Sequence, residues 1–264
     1  KTVAGGIVSP LLAAARPGQT LLAQAPAGKF LLPLANEFPV VLLAGGIGIT
    51  PFMSYLETLA TQAQRPEIHL YYVVPSRMRH AFAARLRELA VARPELRIVT
   101  LYSRPVASDR LGVDYDRAGR LEFTAIEESL IRRRARFYLC GPDAMMAALS
   151  AGLRASGVPA FEVFQERFVS PRPVAAERSA ASHSVVFRRS DRRLQWTPQV
   201  GSLLDLAERC GVRVPTGCRV GQCESCLLPV LEGQVAYDLP LDDVEDGACL
   251  ACRAVPVTDV VLDA

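Results

Sequence analysis

Cysteine spacing near the carboxyl end constrains the fold of this chain more than any other feature. Cys218, Cys223 and Cys226 lie in the run TGCRVGQCESC, and two more cysteines follow in CLACRAVP. A 2Fe-2S cluster needs two thiolates on each iron, so this spacing predicts three ligands in one tight loop and a fourth from elsewhere. Gly217 and Gly221 suit such a loop, because glycine lets the backbone bring N–H groups close to the sulfurs.

A zinc site is the alternative for the same cysteines. Cys223-x2-Cys226 and Cys249-x2-Cys252 also match the two knuckles of a zinc ribbon, although that interpretation leaves Cys218 without a role. The full spacing resembles the plant-type ferredoxins, and LAC followed by a basic residue, alanine and proline resembles their fourth-ligand segment. The resemblance implies a cluster held by Cys218, Cys223, Cys226 and Cys252, with Cys249 as a buried neighbour.

Composition limits the location and the partners of the protein. The 264 residues carry a net charge of only +3, and the run Arg132-Arg133-Arg134 predicts a solvated helix end, not a nucleic-acid patch. No stretch approaches the roughly eighteen apolar residues of a membrane span, and no signal peptide is seen. Seven cysteines, mostly assigned to one metal site, argue against a secreted disulfide framework. We therefore expect a soluble, cytoplasmic protein without a membrane span and without nucleic acid as a partner.

Short apolar runs alternate with helical patterns in the first two thirds of the chain. The runs FPVVLLA, IHLYYVV, LRIVTLY and RFYLC predict strands, whereas TPFMSYLETLA, an Arg- and Ala-rich segment and DAMMAALSAGL predict helices. This alternation predicts an α/β domain with a parallel sheet and helices on both faces. The Pro-, Ala-, Ser- and Arg-rich stretch SPRPVAAERSAASHS after it predicts a linker.

The segment AGGIGITPFMSYL carries a glycine-rich turn from a strand into a helix. Gly45, Gly46 and Gly48 would place a helix N-terminus at the carboxyl end of the strand, where a pyrophosphate can bind. Thr50 is expected to cap the helix and Pro51 to occupy its first position. By itself, this pattern indicates an ordinary tight turn as readily as a pyrophosphate site. It also lacks the G-x-G-x-x-G pattern of dehydrogenases.

A second strand-to-helix turn, YLCGPDAMM, contains Cys140, Gly141 and Pro142. Together with GGIGITPF, it resembles the nicotinamide-nucleotide domain of the ferredoxin-NADP reductase superfamily. The resemblance implies that Thr50 and Cys140 lie near the nicotinamide as catalytic residues. The Gln165-Glu166-Arg167-Phe168 segment resembles the Glu-x-Phe that ends this domain, which adds Glu166 and Phe168 to the catalytic residues and implies that Phe168 lies against a flavin ring.

The first 37 residues resemble the last part of the flavin-binding β-barrel of the same superfamily. Gly5, Gly6 and Ser9 match the stretch that contacts the flavin phosphate, and Pro26-x-Gly28-x-Phe30 favours FAD over FMN. The Arg-x-Tyr-Ser flavin motif of the family is missing, so the chain is expected to be truncated at its amino end.

The nucleotide is predicted from a pair of residues after the LRIVTLY strand. In NADP-using relatives a Ser-Arg pair at this point holds the 2′-phosphate, which implies that Ser103 and Arg104 bind it here, with help from Arg110. NADPH is therefore expected in preference to NADH. The sequence shows no acid-base pair, and His69, His80 and His183 are expected to be structural or exposed.

The last part of the chain is expected to be a small α+β domain. SVVFRRSDRRLQW predicts a hairpin, LLPVLEG and VTDVVLD predict strands, and SLLDLAERCGV predicts a helix that is capped by Ser202, ends at Gly211 and places Cys210 in the core. The domain resembles the β-grasp ferredoxins. The expected order is a flavin-barrel remnant (1–37), an NAD(P)H domain (38–169), a linker (170–182) and a 2Fe-2S domain (183–264).

This domain order resembles the phthalate dioxygenase reductase type of oxygenase reductases. The resemblance implies hydride transfer from NAD(P)H to a flavin, followed by single-electron transfer through the cluster to a Rieske or diiron oxygenase component or to a haem protein. Two alternatives stay open: a ferredoxin-type carrier without flavin chemistry of its own, and a zinc-stabilised interaction module.

Overall fold

The computed structural model describes residues 8–23, 25–26, 28–35, 37–62, 66–168, 182–237 and 244–264. The chain divides into two compact units. The first contains residues 1–19 and 30–168, and the second contains residues 20–29 and 169–264.

The first unit is built on a six-stranded sheet in which every strand pair is parallel. Its strands are β1 (Val40–Gly45), β2 (Ile68–Val74), β3 (Leu96–Tyr102), β4 (Arg117–Ala118), β5 (Arg136–Cys140) and β6 (Val163–Glu166). The strand order is β4-β3-β2-β1-β5-β6, so β1 lies between β2 and β5. The carboxyl ends of all six strands therefore meet at one edge, where both glycine-containing turns lie.

Helices cover both faces of this sheet, as the alternating pattern predicted. They are α2 (Ile49–Ala60), α3 (Ala83–Ala92), α4 (Glu128–Arg132) and α5 (Asp143–Ala155), whereas α1 (Val8–Ala14) precedes the sheet and has no buried residue. Val40 and Leu42 of β1 share a core with α2 and α3, whereas Val41 and Leu43 share one with α4 and α5. All of β1 is buried, which explains why its sequence is a continuous apolar run without alternation.

The second unit combines a mixed five-stranded sheet, a two-stranded sheet and one helix. Its elements are β7 (His183–Phe187), β8 (Arg192–Trp196), α6 (Leu203–Arg209), β9 (Leu227–Glu232), β10 (Val235–Tyr237), β11 (Ala248–Leu250), β12 (Ala254–Pro256) and β13 (Val260–Leu262). The larger sheet has the order β11-β9-β13-β7-β8, and β10 pairs with β12. The predicted hairpin, helix and both later strands are confirmed.

Helix α6 is fixed at both ends by local hydrogen bonds. Ser202 and Asp205 form a capping box, and Gly211 follows the helix with a φ of 74°. Both features confirm the predicted bounds. The backbone N–H of Leu204 donates to the carbonyl of Ala251 at 2.9 Å, which ties α6 to the segment between the last two cysteines.

The segment before β1 belongs only partly to the described residues. Gly5 and Gly6 lie outside them, Ser9 lies in α1, and the described residues before Val40 contain no strand, so the barrel remnant stays a prediction. Phe30 packs edge-on against Tyr138 with ring centroids 5.6 Å apart. The predicted linker also lies outside the described residues, except for residue 182.

The arginine run after α4 is exposed, as predicted, but its side chains have partners within the first unit. Arg132 binds Glu128 at 2.6 Å, and Arg133 binds Glu67 through two hydrogen bonds. Arg134 lies 5.5 Å from the ring centroid of Phe38. These contacts hold the run against the protein surface.

Candidate functional site

The two glycine-containing turns at the sheet edge touch each other through their backbones. A Cβ atom on Gly48 would overlap the carbonyl oxygen of Cys140, and one on Gly141 would lie 2.9 Å from the Cα of Gly45. Gly46 has a φ of 56°, in the left-handed region that favours glycine. The turns after β1 and β5 thus form one continuous floor that side chains at these positions would disrupt.

Helix α2 begins two residues earlier than the sequence suggested. It starts at Ile49 after Gly48, and no side chain caps it. The hydroxyl of Thr50 donates to the carbonyl of Ile47 at 3.0 Å, so the predicted capping by Thr50 is wrong. Pro51 is the third residue of the helix, within the first turn, where proline loses no intrahelical hydrogen bond.

A cleft of about 1000 Å³ opens beside this floor. It is lined by Gly45, Gly46, Ile47, Ile49, Thr50, Tyr72, Pro75, Met78, Arg79, His80, Ala81, Phe82, Arg104, Gly141, Pro142 and Phe168. The structure therefore brings together seven of the predicted site residues: Gly45, Gly46, Thr50, Arg104, Gly141, Pro142 and Phe168. Gly48, Pro51, Ser103, Cys140 and Glu166 lie near the cleft in sequence but not in its lining.

The predicted 2′-phosphate residues separate in the structure. Arg104 is exposed and lines the cleft, but the hydroxyl of Ser103 points back to the carbonyl of Val74 at 3.5 Å. Arg110 approaches Asp114 at 3.5 Å, and its backbone N–H is the main cause that lowers the pKa of that carboxyl. Of the three residues, only Arg104 lies where it could meet a ligand in the cleft.

Cys140 and Glu166 are cross-strand partners directly behind the cleft floor. Cys140 at the end of β5 pairs with Glu166 at the end of β6, and its side chain is fully buried. Burial, followed by the nearby Glu166, raises the pKa of Cys140 to about 12. Burial also raises the pKa of the Glu166 carboxyl. Cys140 is therefore a neutral thiol at neutral pH and not a nucleophile.

Sequence reasoning missed the segment after β2, which forms one wall of the cleft. Arg79, His80 and Phe82 lie there, and Phe82 is 46% exposed with a φ of 59°. The Nδ1 atom of His80 lies 3.1 Å from the hydroxyl of Tyr102, and burial lowers the pKa of this histidine. The available signal was topological: the segment follows the strand next to β3, so its start shares an edge with Ser103 and Arg104.

Two cysteines of the loop before β9, Cys218 and Cys223, accept contacts from backbone N–H groups. The N–H groups of Val220, Gln222 and Cys223 approach the Sγ of Cys218 at 3.3 to 3.4 Å. The N–H of Cys218 in turn approaches the Sγ of Cys223 at 3.2 Å. Cys218 and Cys223 therefore form one pair of sulfurs surrounded by donors.

Cys226 forms a second pair with Cys252, which comes from the segment after β11. A hydrogen bond to Cys252 is the main cause that lowers the pKa of Cys226 to about 7, and the same bond raises the pKa of Cys252. Cys249 in β11 is fully buried, as predicted, and burial raises its pKa to about 12. Two sulfur pairs, each with its own surroundings, fit the two thiolates that each iron of a 2Fe-2S cluster requires.

Two non-glycine residues in the left-handed region of the backbone map shape this loop. Arg219 and Glu224 follow Cys218 and Cys223 with φ values of 57° and 55°. The guanidinium of Arg219 donates to Glu208 of α6 at 2.9 Å. Among the described residues, which include all seven cysteines, no three His, Cys, Asp or Glu side chains form a site for a single metal ion.

Helices long and apolar enough to cross a membrane do not occur in the described part of the chain. Two domain families match the chain. Residues 42–151 match the oxidoreductase NAD-binding domain, and residues 188–257 match the 2Fe-2S iron-sulfur cluster binding domain. The first match contains both glycine-containing turns, and the second contains all four proposed cluster ligands.

One curated relative matches nearly the whole chain, and another matches about two thirds of it. A component of 1,2-phenylacetyl-CoA epoxidase from Escherichia coli is 30% identical over 264 residues, which covers 94% of this chain and 73% of the relative. A flavohemoprotein from Deinococcus radiodurans is 36% identical over 169 residues, which covers 64% of this chain and 42% of the relative. The chain thus spans about two fifths of the length of that flavohemoprotein.

A solved structure also resembles the chain. The flavohem-like FAD/NAD-binding domain of nitric oxide dioxygenase from Vibrio cholerae is 28% identical, with a TM-score of 0.50, and the match covers 62% of this chain and 65% of that domain.

Proposed function

Because this chain belongs to the oxidoreductases that join an NAD-binding domain of the ferredoxin-NADP reductase type to a 2Fe-2S domain, we propose that it carries electrons from NAD(P)H to a partner protein. The observation that carries this proposal is the pairing of Cys218 with Cys223 and of Cys226 with Cys252. Binding and oxidation of a dinucleotide in the cleft do not require paired cysteines. The pairs therefore indicate a second redox centre in the same chain.

At the nucleotide end, the chain would bind and orient the dinucleotide. The floor of Gly45, Gly46 and Gly141 allows close approach of a pyrophosphate, and the N-terminus of α2 offers N–H groups to it. Thr50 and Phe168 would contact the nicotinamide region, because both line the cleft near that floor. Cys140, as a neutral thiol, and Glu166 would contribute to the nicotinamide site from behind the cleft floor.

A flavin is part of the proposal because the two redox steps differ in electron number. Hydride transfer moves two electrons together and a 2Fe-2S cluster accepts one, so a flavin, when bound, supplies the conversion. We propose FAD, with Gly5, Gly6 and Ser9 at its phosphate. The FAD/NAD-binding domain from Vibrio cholerae supports FAD.

At the cluster end, Cys218, Cys223, Cys226 and Cys252 would hold the irons. The N–H groups that point at Cys218 and Cys223 would stabilise negative charge on the sulfurs and so influence the reduction potential. The proposed acceptor is an oxygenase component of the Rieske or diiron type or a haem protein, which fits the epoxidase and flavohemoprotein relatives. We also propose a cytoplasmic location, since none of the seven cysteines forms a disulfide.

The domain boundaries are proposed as 1–37, 38–169, 170–182 and 183–264. The two matched families support the second and fourth of these ranges, because each match lies within one of them.

Analysis of metal, sulfide and flavin, combined with anaerobic visible spectra before and after addition of NADPH, tests the proposal. We expect iron, acid-labile sulfide and flavin, with absorption bands that bleach when NADPH is added. Iron and sulfide without flavin, in bands that NADPH leaves unchanged, would favour a ferredoxin-type carrier. A colourless protein that contains zinc would contradict the proposal and favour an interaction module.

A further inference from the structure

Among the described residues, two arginines and no carboxylate line the nucleotide cleft. Arg79 ends the short turn Arg77–Arg79 after β2, and Arg104 follows β3. Both side chains are exposed, and within the described part of the chain neither has an ion pair or a hydrogen-bonded acceptor. A cleft with two such guanidinium groups favours a ligand that carries negative charge beyond the pyrophosphate.

The two arginines are brought together by hydrogen bonds between the segments that carry them. Val74 at the end of β2 pairs with Tyr102 at the end of β3. Beyond the strands, the backbone N–H of Ser103 donates to Val74 and that of Arg104 donates to Pro75, each at 2.9 Å. The contact between His80 and Tyr102 then holds the far end of the β2 segment against β3. Arg79 and Arg104 therefore rise from a single connected wall.

Two other cations near this wall, Arg77 and Arg110, lie close to a carboxylate. Arg110 approaches Asp114, and Arg77 also interacts electrostatically with that carboxyl and lowers its pKa. Neither Arg77 nor Arg110 lines the cleft. Arg87, which lowers the pKa of His80 electrostatically, is also absent from the lining, so Arg79 and Arg104 are the two cations of the described lining that can meet a ligand.

We propose that Arg79 and Arg104 together bind the 2′-phosphate of NADPH, which makes Arg79 a residue that selects NADPH over NADH. This inference rests on the proposed nucleotide function and names the form of nucleotide that it uses. The planar guanidinium can form two parallel hydrogen bonds with phosphate oxygens, so two arginines from adjacent segments can enclose the dianion. NADH lacks this phosphate, so Arg79 contributes to NADPH binding alone.

Calorimetric binding of two adenosine ligands to the full chain tests this inference. Adenosine 2′,5′-bisphosphate carries the 2′-phosphate, whereas ADP lacks it. We expect Arg79→Gln to raise the Kd for the bisphosphate about tenfold, as loss of one charge-assisted contact does, and to leave the Kd for ADP within about twofold. Arg110→Gln is the matched control, because it removes an exposed arginine that is already opposite Asp114, and we expect neither Kd to change.

The outcomes separate this inference from the function on which it rests. If Arg79→Gln binds both ligands as the unchanged protein does, or if Arg110→Gln shows the larger loss, Arg79 does not select the nucleotide although the nucleotide function stands. Equal loss for both ligands in a folded Arg79→Gln variant would also overturn the inference. If the unchanged protein binds neither ligand, nor NADPH or NADH, the proposed nucleotide site itself is wrong.

Discussion

The nucleotide cleft and the cysteine loop are built in opposite ways. The cleft floor continues from β1 and β5, which are almost wholly buried, and glycine lets the backbones of the two turns touch. The cysteine loop has no helix or strand between α6 and β9, and its sulfurs are held by N–H contacts and by two residues with positive φ.

This difference indicates which site the polypeptide can form alone. The cleft lies at the edge of a sheet that is stabilised by the hydrophobic core of the first unit. The shape of the cleft therefore does not depend on a bound ligand. In the loop, Cys226 and Cys252 share a hydrogen bond that a bound iron would replace. Metal binding there must be coupled to the stability of the second unit, since the ligands have to be deprotonated and fixed together.

The largest expected effect concerns the fourth cluster ligand. We expect Cys252→Ser to reduce bound iron and sulfide to a small fraction of the unchanged protein, because one iron loses a thiolate. Cys249→Ser is the matched control three residues away, and it should retain the cluster. Iron, sulfide and the visible spectrum measure both. Loss of the cluster in Cys249→Ser alone would assign the fourth ligand to Cys249.

Removal of the cluster should affect the two sites unequally. We expect chelation under reducing conditions to lower the melting temperature of the second unit by at least about 10 °C, because ligand binding contributes directly to its folding. Binding of ADP to the cleft should change by less than about twofold. Differential scanning calorimetry and binding calorimetry check these results. A parallel loss of nucleotide binding would show that the cleft also depends on the cluster.

A methyl group on Gly48 should damage the cleft and spare the loop. Gly48→Ala places a Cβ on the carbonyl of Cys140, so we expect a loss of about 1 to 3 kcal/mol in unfolding free energy and weaker ADP binding. In Gly46→Ala the added Cβ has no atom within 4 Å. Only the positive φ is then unfavourable, which should lower the unfolding free energy by about 1 kcal/mol. Chemical denaturation and iron analysis compare the two variants. An undisturbed Gly48→Ala would mean that the two turns can move apart.

The smallest expected effect is the pH dependence of a contact at the amino ends of the strands of the first sheet, opposite the edge that carries the cleft. Hydrogen bonds from Arg133 are the main cause that lowers the pKa of Glu67 to about 2, and His69 adds to them. A depressed carboxyl pKa stabilises the fold above the ordinary value of 4.5, and this contribution is lost as the pH falls from there toward 2.

Because Glu67 is partly exposed, the expected contribution is modest. Glu67→Gln should lower the unfolding free energy by about 1 kcal/mol at neutral pH and by less near pH 2. Glu57→Gln, which removes an exposed partner of Arg85, should have a smaller effect. Denaturation curves of both variants at several pH values measure this, and a loss for Glu67→Gln that grows as the pH falls would contradict the assignment.

Local patterns predicted the elements better than the walls of the cleft. The buried strands, the two strand-to-helix turns and the cap at Ser202 followed from apolar runs, small residues and short-range capping, which depend little on the rest of the fold. Local patterns did not predict where α2 starts or the directions in which Ser103 and Arg110 point. The hydroxyl of Ser103 donates to Val74, which only the folded chain brings near, and Arg110 donates to Asp114 in a segment without a periodic pattern.

The cysteines and Arg79 show the same difference between what local patterns predict and what only the fold reveals. Spacing within one loop predicted that Cys218, Cys223 and Cys226 would lie together, because only eight positions separate the first from the last. Arg79 was missed because the segment that carries it has no periodic pattern. It becomes visible only when β2 and β3 are seen as neighbours.

Low-temperature electron paramagnetic resonance after anaerobic addition of NADPH, with FAD supplied, tests most directly whether the cleft and the cysteine loop belong to one electron path. The account predicts a signal from a reduced 2Fe-2S cluster that approaches the intensity produced by dithionite. A full signal with dithionite and none with NADPH and FAD would contradict that path, and no iron signal under either condition would contradict the cluster itself.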